Sequence, residues 1–487
     1  MSVLKLATPG VYVQEIPSLP PSVAEVETAI PAFVGHTEKA QQNAAGDLIN
    51  TANKITSLAD YVAFYGGPPK ESNESVFIDV KDLGSNQYQI SATVDESKKS
   101  SYNLYYSVRH FYDNGGGVCY IVSTGDYLTA ISKDALLAGL DIVKDVDEVT
   151  LLIIPEAVKL DIPPVPLPDD WSPAGYKEIV NAMIKQASDS GDRFALIDPI
   201  LATQKNATDP NGDIDGDSKL IRNASLSPSE NSFAAAYYPN LITTYALTYD
   251  FANLVVDKMT PFGGSTDLTG KKMSELGKGS LLYNKIEAEM QKQYVVLPPS
   301  GAIAGLYTRV DATKGVWKAP ANESLLSVVK PNVSISSREQ EGMNIDANSG
   351  KSINAIRSFP GFGTLVWGAR TLNGNDNEWK YISVRRFFNM VEESIRKSSH
   401  WAVFEPNTIS TWVKMQAMIE NYLFQKWRDG ALAGSKPEQA FYVRVGLGST
   451  MTSVDILEGR MNVEIGMAVS RPAEFIVLKF TQLMQQS

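Results

Sequence analysis

Apolar and polar positions along this chain switch between two spacings, and the switches mark out its elements. Ala29–His36 is a short apolar run ending in a glycine turn, and it predicts a buried strand. Ser57 offers its hydroxyl to the free amides of a helix that Gly66-Gly67-Pro68 stops. From Ser101 the alternation becomes regular. Tyr105–Tyr112 predicts a helix, Gly115-Gly116-Gly117 a break, Val118–Val122 a strand, Lys133–Lys144 a helix and Val149–Ile154 a second strand. After the proline-rich linker Pro163–Pro168 come a helix over Ala174–Ser188 and a third strand, Phe194–Asp198. Apolar strands joined by crossover helices predict an α/β fold (mixed α+β) with at least partly parallel pairing. Polar stretches near 70–100, 202–232 and 257–292 interrupt it, the first as an inserted β excursion and the second as a surface loop.

The last third follows its own pattern. Thr364–Trp367 predicts a buried strand, and Asn373-Gly374-Asn375-Asp376 a turn. Val384, Phe387, Phe388, Val391 and Ile395 share one helical face, with Arg385, Glu392, Glu393, Arg396 and Lys397 elsewhere. Arg385 and Arg386 read either as a solvated helix edge or as an arginine pair bonding carboxylates or carbonyls. A second helix carries Ile409, Trp412, Val413, Ile419, Leu423 and Trp427, with Asn407 placed to cap its start and Gly430 to end it. The chain opens on an extended arm in which Val11, Tyr12, Val13 and Ile16 have strand propensity between flanking prolines. It closes on an apolar strand, Phe475–Phe480.

Composition narrows the class. A chain of 487 residues suggests two to four domains, and 43% hydrophobic with 20% charged residues is the balance of a soluble globular protein. The longest apolar runs are strand length, too short to span a bilayer, and Pro9-Gly10 arrives before a secretion core can form. Synthesis in the cytoplasm is expected. The single cysteine, Cys119, excludes an intramolecular disulfide and sits in a strand run. A net charge of -11 argues against nucleic acid as a general partner. Charge is uneven: residues 355–487 hold 15 Lys and Arg against 12 Asp and Glu, and residues 1–354 hold 29 against 43.

Catalytic and ligand motifs fail at their decisive positions. Gly361-Phe362-Gly363 lacks the third glycine of a dinucleotide loop, where Val366 stands. Gly264–Lys271 misses phosphate-loop spacing, and Lys272 replaces the magnesium-binding hydroxyl. Asn211–Asp217 imitates the start of a calcium loop, but Arg222 occupies the place of its bidentate Glu. His36, His110 and His400 lack metal-ligand spacing. No nucleophile elbow is present. No catalytic residue, cofactor or metal is expected, and the protein is expected not to be an enzyme.

A positive signal lies between Ile353 and Asn407. Arg357 with Phe359-Pro360-Gly361, Val366-Trp367-Gly368-Ala369-Arg370-Thr371-Leu372, Val384-Arg385-Arg386 and Phe404-Glu405-Pro406-Asn407 stand there in order. Together they resemble the signature segment of contractile tail sheath proteins, the sleeve subunits of contractile phage tails, R-type bacteriocins and related injection particles. TPGVYVQEI, Ala234–Leu241, Pro298-Pro299-Ser300-Gly301, Gly315–Ala321, Gly434–Val443 and Arg471–Val477 are similar to that family as well. The signature residues are thus Trp367, Gly368, Arg370, Arg385, Arg386, Glu405 and Asn407.

The resemblance implies an exchange arm over 1–20, an outer α/β domain over 21–352, an inner domain over 353–471 and a strand arm over 472–487. It implies homo-oligomeric helical assembly around an inner tube protein, with baseplate and cap partners, and no insertion into a membrane. Val11, Tyr12, Val13, Ile16, Phe475, Ile476, Val477 and Phe480 would exchange strands between subunits. Lys414, Lys426, Arg428 and Lys436 are the expected tube-facing cations. The particle would assemble in the bacterial cytoplasm and belong to a virion or a released tail-like device, with an injection device slightly favoured. A non-contractile capsid or filament protein is the alternative.

Overall fold

The computed structural model describes residues 22–95, 98–161, 172–200, 214–224, 228–263 and 265–478. Among them two compact units stand out: residues 27–390 with 471–478, and residues 22–26 with 391–470.

The larger unit is built on a nine-stranded sheet. Across it the strands run Glu323–Ser324, Gly363–Val366, Ile353–Phe359, Ala234–Tyr238, Phe194–Ile197, Leu151–Ile153, Pro31–Thr37, Cys119–Asp126 and Ala52–Ile55. The six central strands pair in parallel, and the outermost pairings are antiparallel. Parallel strands need both faces covered, and alternate residues supply two cores. Phe33, Ile121, Ile153, Leu196 and Tyr237 face the helices Leu104–Asp113 and Ser300–Lys314. Val34, Val122, Leu152, Ile197 and Tyr238 face Lys133–Lys144 and Ala174–Ser190. The α/β expectation therefore holds. Ser57 accepts from the Asp60 amide at 3.1 Å, as its capping position predicts. Cys119 is fully buried and its thiol is pushed up to about 12 by burial.

The expected boundary at residue 353 falls inside this sheet. Ile353 pairs with Ala236 and Ile356 with Val366, so the first half of the signature segment completes the larger unit. The division between units comes at Met390/Val391, within the helix Ile382–Ser398. Local periodicity shows a strand but not its distant partner, which explains the difference.

Two polar stretches fold into one small module. Val76–Asp82 and Tyr88–Val94 form an antiparallel hairpin, and Lys258–Thr260 adds a parallel third strand. Ile78, Val80, Val256, Met259, Ile286 and Met290 make a separate core beneath them. The Asp257 carboxylate accepts from the Ile78 amide at 2.7 Å, and the Ile78 carbonyl accepts from the Asp257 amide at 3.0 Å. Another expectation changes at Ile214–Ala224, which is a helix rather than surface loop. There Asp217 accepts from the Tyr238 hydroxyl at 2.7 Å, and Arg222 donates to the Lys351 and Gly342 carbonyls. Asn211–Asp213, the opening of the calcium-like stretch, lie outside the described residues.

In the smaller unit the helix Ile409–Arg428 packs through Trp412, Met415, Ile419, Tyr422 and Leu423. Gly430, at φ 86°, takes the left-handed conformation that ends it. A two-stranded antiparallel sheet, Phe441–Val445 with Val463–Met467, lies in the same unit.

Candidate functional site

Of the two readings of the arginine pair, both side chains are buried, at 6% and 4% exposure for Arg385 and Arg386. The helix Ile382–Ser398 begins as an all-round buried element, so its polar face is turned inward and not to water. Arg386 fulfils the paired reading. Its Nη2 and Nη1 donate to the Asp311 carboxylate at 2.5 and 3.1 Å, and Nη2 also donates to the Thr28 carbonyl at 2.9 Å. Arg385 satisfies a different chemistry. Its guanidinium lies 4.1 Å from the Trp379 ring and 4.6 Å from that of Phe233, while Nε donates to Asn389 at 2.7 Å.

Arg370 is the other buried cation of the signature. Nε donates to Glu474 Oε1 at 2.9 Å and Nη2 to Oε2 at 2.5 Å, and Nη1 reaches the Asn344 and Gly374 carbonyls at 3.3 Å. Partial burial opposes ionisation of Glu474, but the hydrogen bonds from Arg370 and Asn344 outweigh it and hold its carboxyl below the usual range. Gly368 is needed nearby because a Cβ there would stand 2.9 Å from the Asn354 backbone. Asn354 in turn bonds both the amide and the carbonyl of Arg370 at 2.8 Å. Trp367 stays more than one-third exposed, its ring 4.6 Å from that of Phe359. These residues form a structural junction.

Glu405 and Asn407 belong to the smaller unit, and Glu405 is exposed. Asn407 does not cap the next helix, whose first residue is preceded by Thr408. Instead its carbonyl oxygen accepts from Trp412 Nε1 at 2.6 Å and its amide donates to the Arg460 carbonyl at 2.9 Å. The expected apolar face is rotated too. Ile409 and Val413 are exposed, at 70% and 59%, because the buried register passes through Trp412, Met415, Ile419 and Tyr422.

The four candidate cations separate. Lys414, Arg428 and Lys436 are exposed. Lys426 is turned inward, 8% exposed, in an ion pair with Glu25 and 5.7 Å from the Tyr422 ring centre. This correction was available from helical spacing, since Lys426 lies four residues beyond Tyr422 and seven beyond Ile419. Its partner Glu25, like Asp311 for Arg386, lay beyond the reach of local pattern.

Beyond Glu474 the chain through Leu478 belongs to no helix or strand. Phe475, Ile476, Val477 and Leu478 are 70–78% exposed. Val11, Tyr12, Val13, Ile16 and Phe480 lie outside the described residues. In the smaller unit a cleft of about 510 Å³ runs beside the strand Phe441–Val445, lined by Glu420, Phe424, Glu438, Phe441, Tyr442 and Arg444.

Comparison with known proteins places this arrangement. Residues 374–482 match the phage tail sheath C-terminal domain. The tail sheath proteins of Enterobacteria phage T4 and Vibrio phage KVP40 are 29% and 27% identical over 130 and 128 residues, 26% of this chain. The match spans about a fifth of the length of these curated relatives, 19% in each case. Solved sheaths match much more fully. The sheath of the extracellular contractile injection system PVC, in its contracted state, is 30% identical with a TM-score of 0.62, covering 98% of both chains. The contracted helical sheath of the anti-feeding prophage AFP is 29% identical with a TM-score of 0.61, covering 98% of this chain and 99% of that one. Identity of 30% across 98% of both chains, carried by the same fold, makes this chain a member of the contractile tail sheath protein family.

Proposed function

We propose that this sheath protein polymerises helically around an inner tube and that the sleeve then shortens, driving the tube through a target envelope. Copies joined by unlike surface patches generate an open helix, the symmetry a sleeve needs. The observation that carries the reading is the run Phe475–Leu478, four consecutive large apolar side chains exposed on a segment without a strand partner among the described residues. Such a run suits addition to the sheet of a second copy, where backbone pairing supplies affinity. The two-stranded sheet and the cleft beside Phe441–Val445 supply a receiving edge. The N-terminal arm, with Val11, Tyr12, Val13 and Ile16, acts in the same way on another neighbour.

Contraction is a change between two packings of the same folded subunit, with the arms keeping the mesh connected. It needs no nucleotide hydrolysis within the subunit, and the role is structural rather than enzymatic. Exposed charge pairs contribute only about 0–1 kcal/mol each, which suits a tube contact that must hold and then release. Lys414, Arg428 and Lys436 remain the cations for it; Lys426 is committed elsewhere. Baseplate and cap proteins complete the particle, which assembles in the cytoplasm.

Deleting residues 1–16 tests this. Negative-stain micrographs should show loss of the ordered mesh while circular dichroism shows a folded subunit; normal sheaths from the truncated chain would refute arm exchange.

A further inference from the structure

Toward each end of the described chain an acidic side chain is gripped by a buried cation. In the larger unit, Glu474 is held by the Arg370 fork, and the exposed run Phe475–Leu478 starts at the next residue. In the smaller unit, Glu25 pairs with Lys426, whose side chain is 10% exposed, only a few residues after the N-terminal arm. The segment around Glu25 is also pinned through its backbone. The Ala24 amide donates to Ser398 Oγ and the Val26 amide to Ser394 Oγ, each at 3.1 Å. The two serines are four residues apart on one helix, so they face the same way. The Ala24 and Val26 amides, two residues apart, both reach that face.

We infer that the Lys426–Glu25 pair is the root clamp of the N-terminal arm, the counterpart of Arg370–Glu474 at the other end of the chain. The inference rests on the arm reading above. A segment held by single backbone hydrogen bonds peels from its free end one bond at a time. An ion pair with one partner withdrawn from water resists that peeling, because salt and solvent screen it less than an exposed pair. The chemistry of the two roots also differs. Arg370 presents a planar fork that fixes the direction of Glu474. Lys426 offers a compact ammonium on a flexible stem, which can follow Glu25 through a range of directions.

Hydrogen exchange on the full-length subunit tests the clamp before any assembly takes place. In Lys426→Met the amides of Ala24 and Val26 should exchange at least tenfold faster, while those of Met415–Leu423 are unchanged. Should Lys426→Met fail to fold, Glu25→Gln removes the same charge pair from its exposed side. Parent-like exchange at Ala24 and Val26 in these variants overturns the clamp. Sheaths polymerised from Lys426→Met should shed subunits under shear that leaves the parent intact. Faster exchange with fully shear-resistant sheaths overturns the clamp's role in the particle, and leaves arm exchange to be judged by deletion of residues 1–16.

Discussion

Arg386 and Asp311, 75 residues apart, meet fork to carboxylate in the interior of the larger unit, with side chains 4% and 9% exposed. The Thr28 hydroxyl donates to the same Asp311 oxygen at 2.6 Å, and the guanidinium lies 4.4 Å from the Tyr307 ring centre. Three distant parts of the sequence are thereby locked together. Removing one partner of a buried pair leaves the other charge unsatisfied, at a cost of about 3–5 kcal/mol. Asp311→Ala should lower stability by that amount in urea unfolding. Arg386→Lys, which keeps the charge but loses the fork, should be milder.

Two buried titrating groups give opposite pH dependences. Burial drives His110 down to about 4, against the pull of its bond to the Leu326 carbonyl. Its contribution is present above the ordinary value of 6.5 and is lost as pH falls through about 4. Burial lifts Asp198 to about 7, against its two hydrogen bonds from Ser300. Its contribution is present below 3.8 and is lost as pH rises through about 7. Urea titrations across pH should show the parent losing about 3 kcal/mol relative to His110→Gln between pH ~7 and ~4. Relative to Asp198→Asn it should lose about 4 kcal/mol as pH rises from ~4 to ~8.

Reversing Lys414, Arg428 and Lys436 to glutamate should weaken co-sedimentation with the inner tube and leave the thermal midpoint of the free subunit within about 2 °C, since all three side chains are exposed. Lys426→Glu should behave in the opposite sense, lowering the midpoint of the subunit because it sets two carboxylates against each other at Glu25. Equal effects of the two changes on folding would refute this division of roles.

Phe475→Asp and Val477→Asp should change subunit stability by less than about 0.5 kcal/mol, because both side chains are about three-quarters exposed. The same changes should block sheath growth, scored as polymer length in micrographs. Parent-length sheaths would remove the C-terminal segment from the assembly.

Sequence showed what is local and missed what is distant. Lys133–Lys144 was readable residue for residue because its apolar period, its Ser132 cap and its ends all lie within one stretch. The three strands following Val118 were legible for the same reason. The pairing of Ile353–Phe359 with Ala234–Tyr238 was not, since no periodicity announces a partner more than a hundred residues away. Asn407 has the chemistry of a cap, yet Trp412 and the Arg460 carbonyl compete for its amide group and win. The arginines of the signature carry no local sign of their partners, and each has a different one: a carboxylate for Arg386, aromatic rings for Arg385, and the C-terminal segment for Arg370.

The module formed by Val76–Val94 and the stretch around Lys258–Thr260 has an implication for engineering. Its two contributing loops are far apart in sequence, yet they share one core and exchange hydrogen bonds between Ile78 and Asp257. Replacing either loop alone would expose the apolar side of the other to water. A designer wishing to redecorate the subunit should therefore transplant both loops as a matched set.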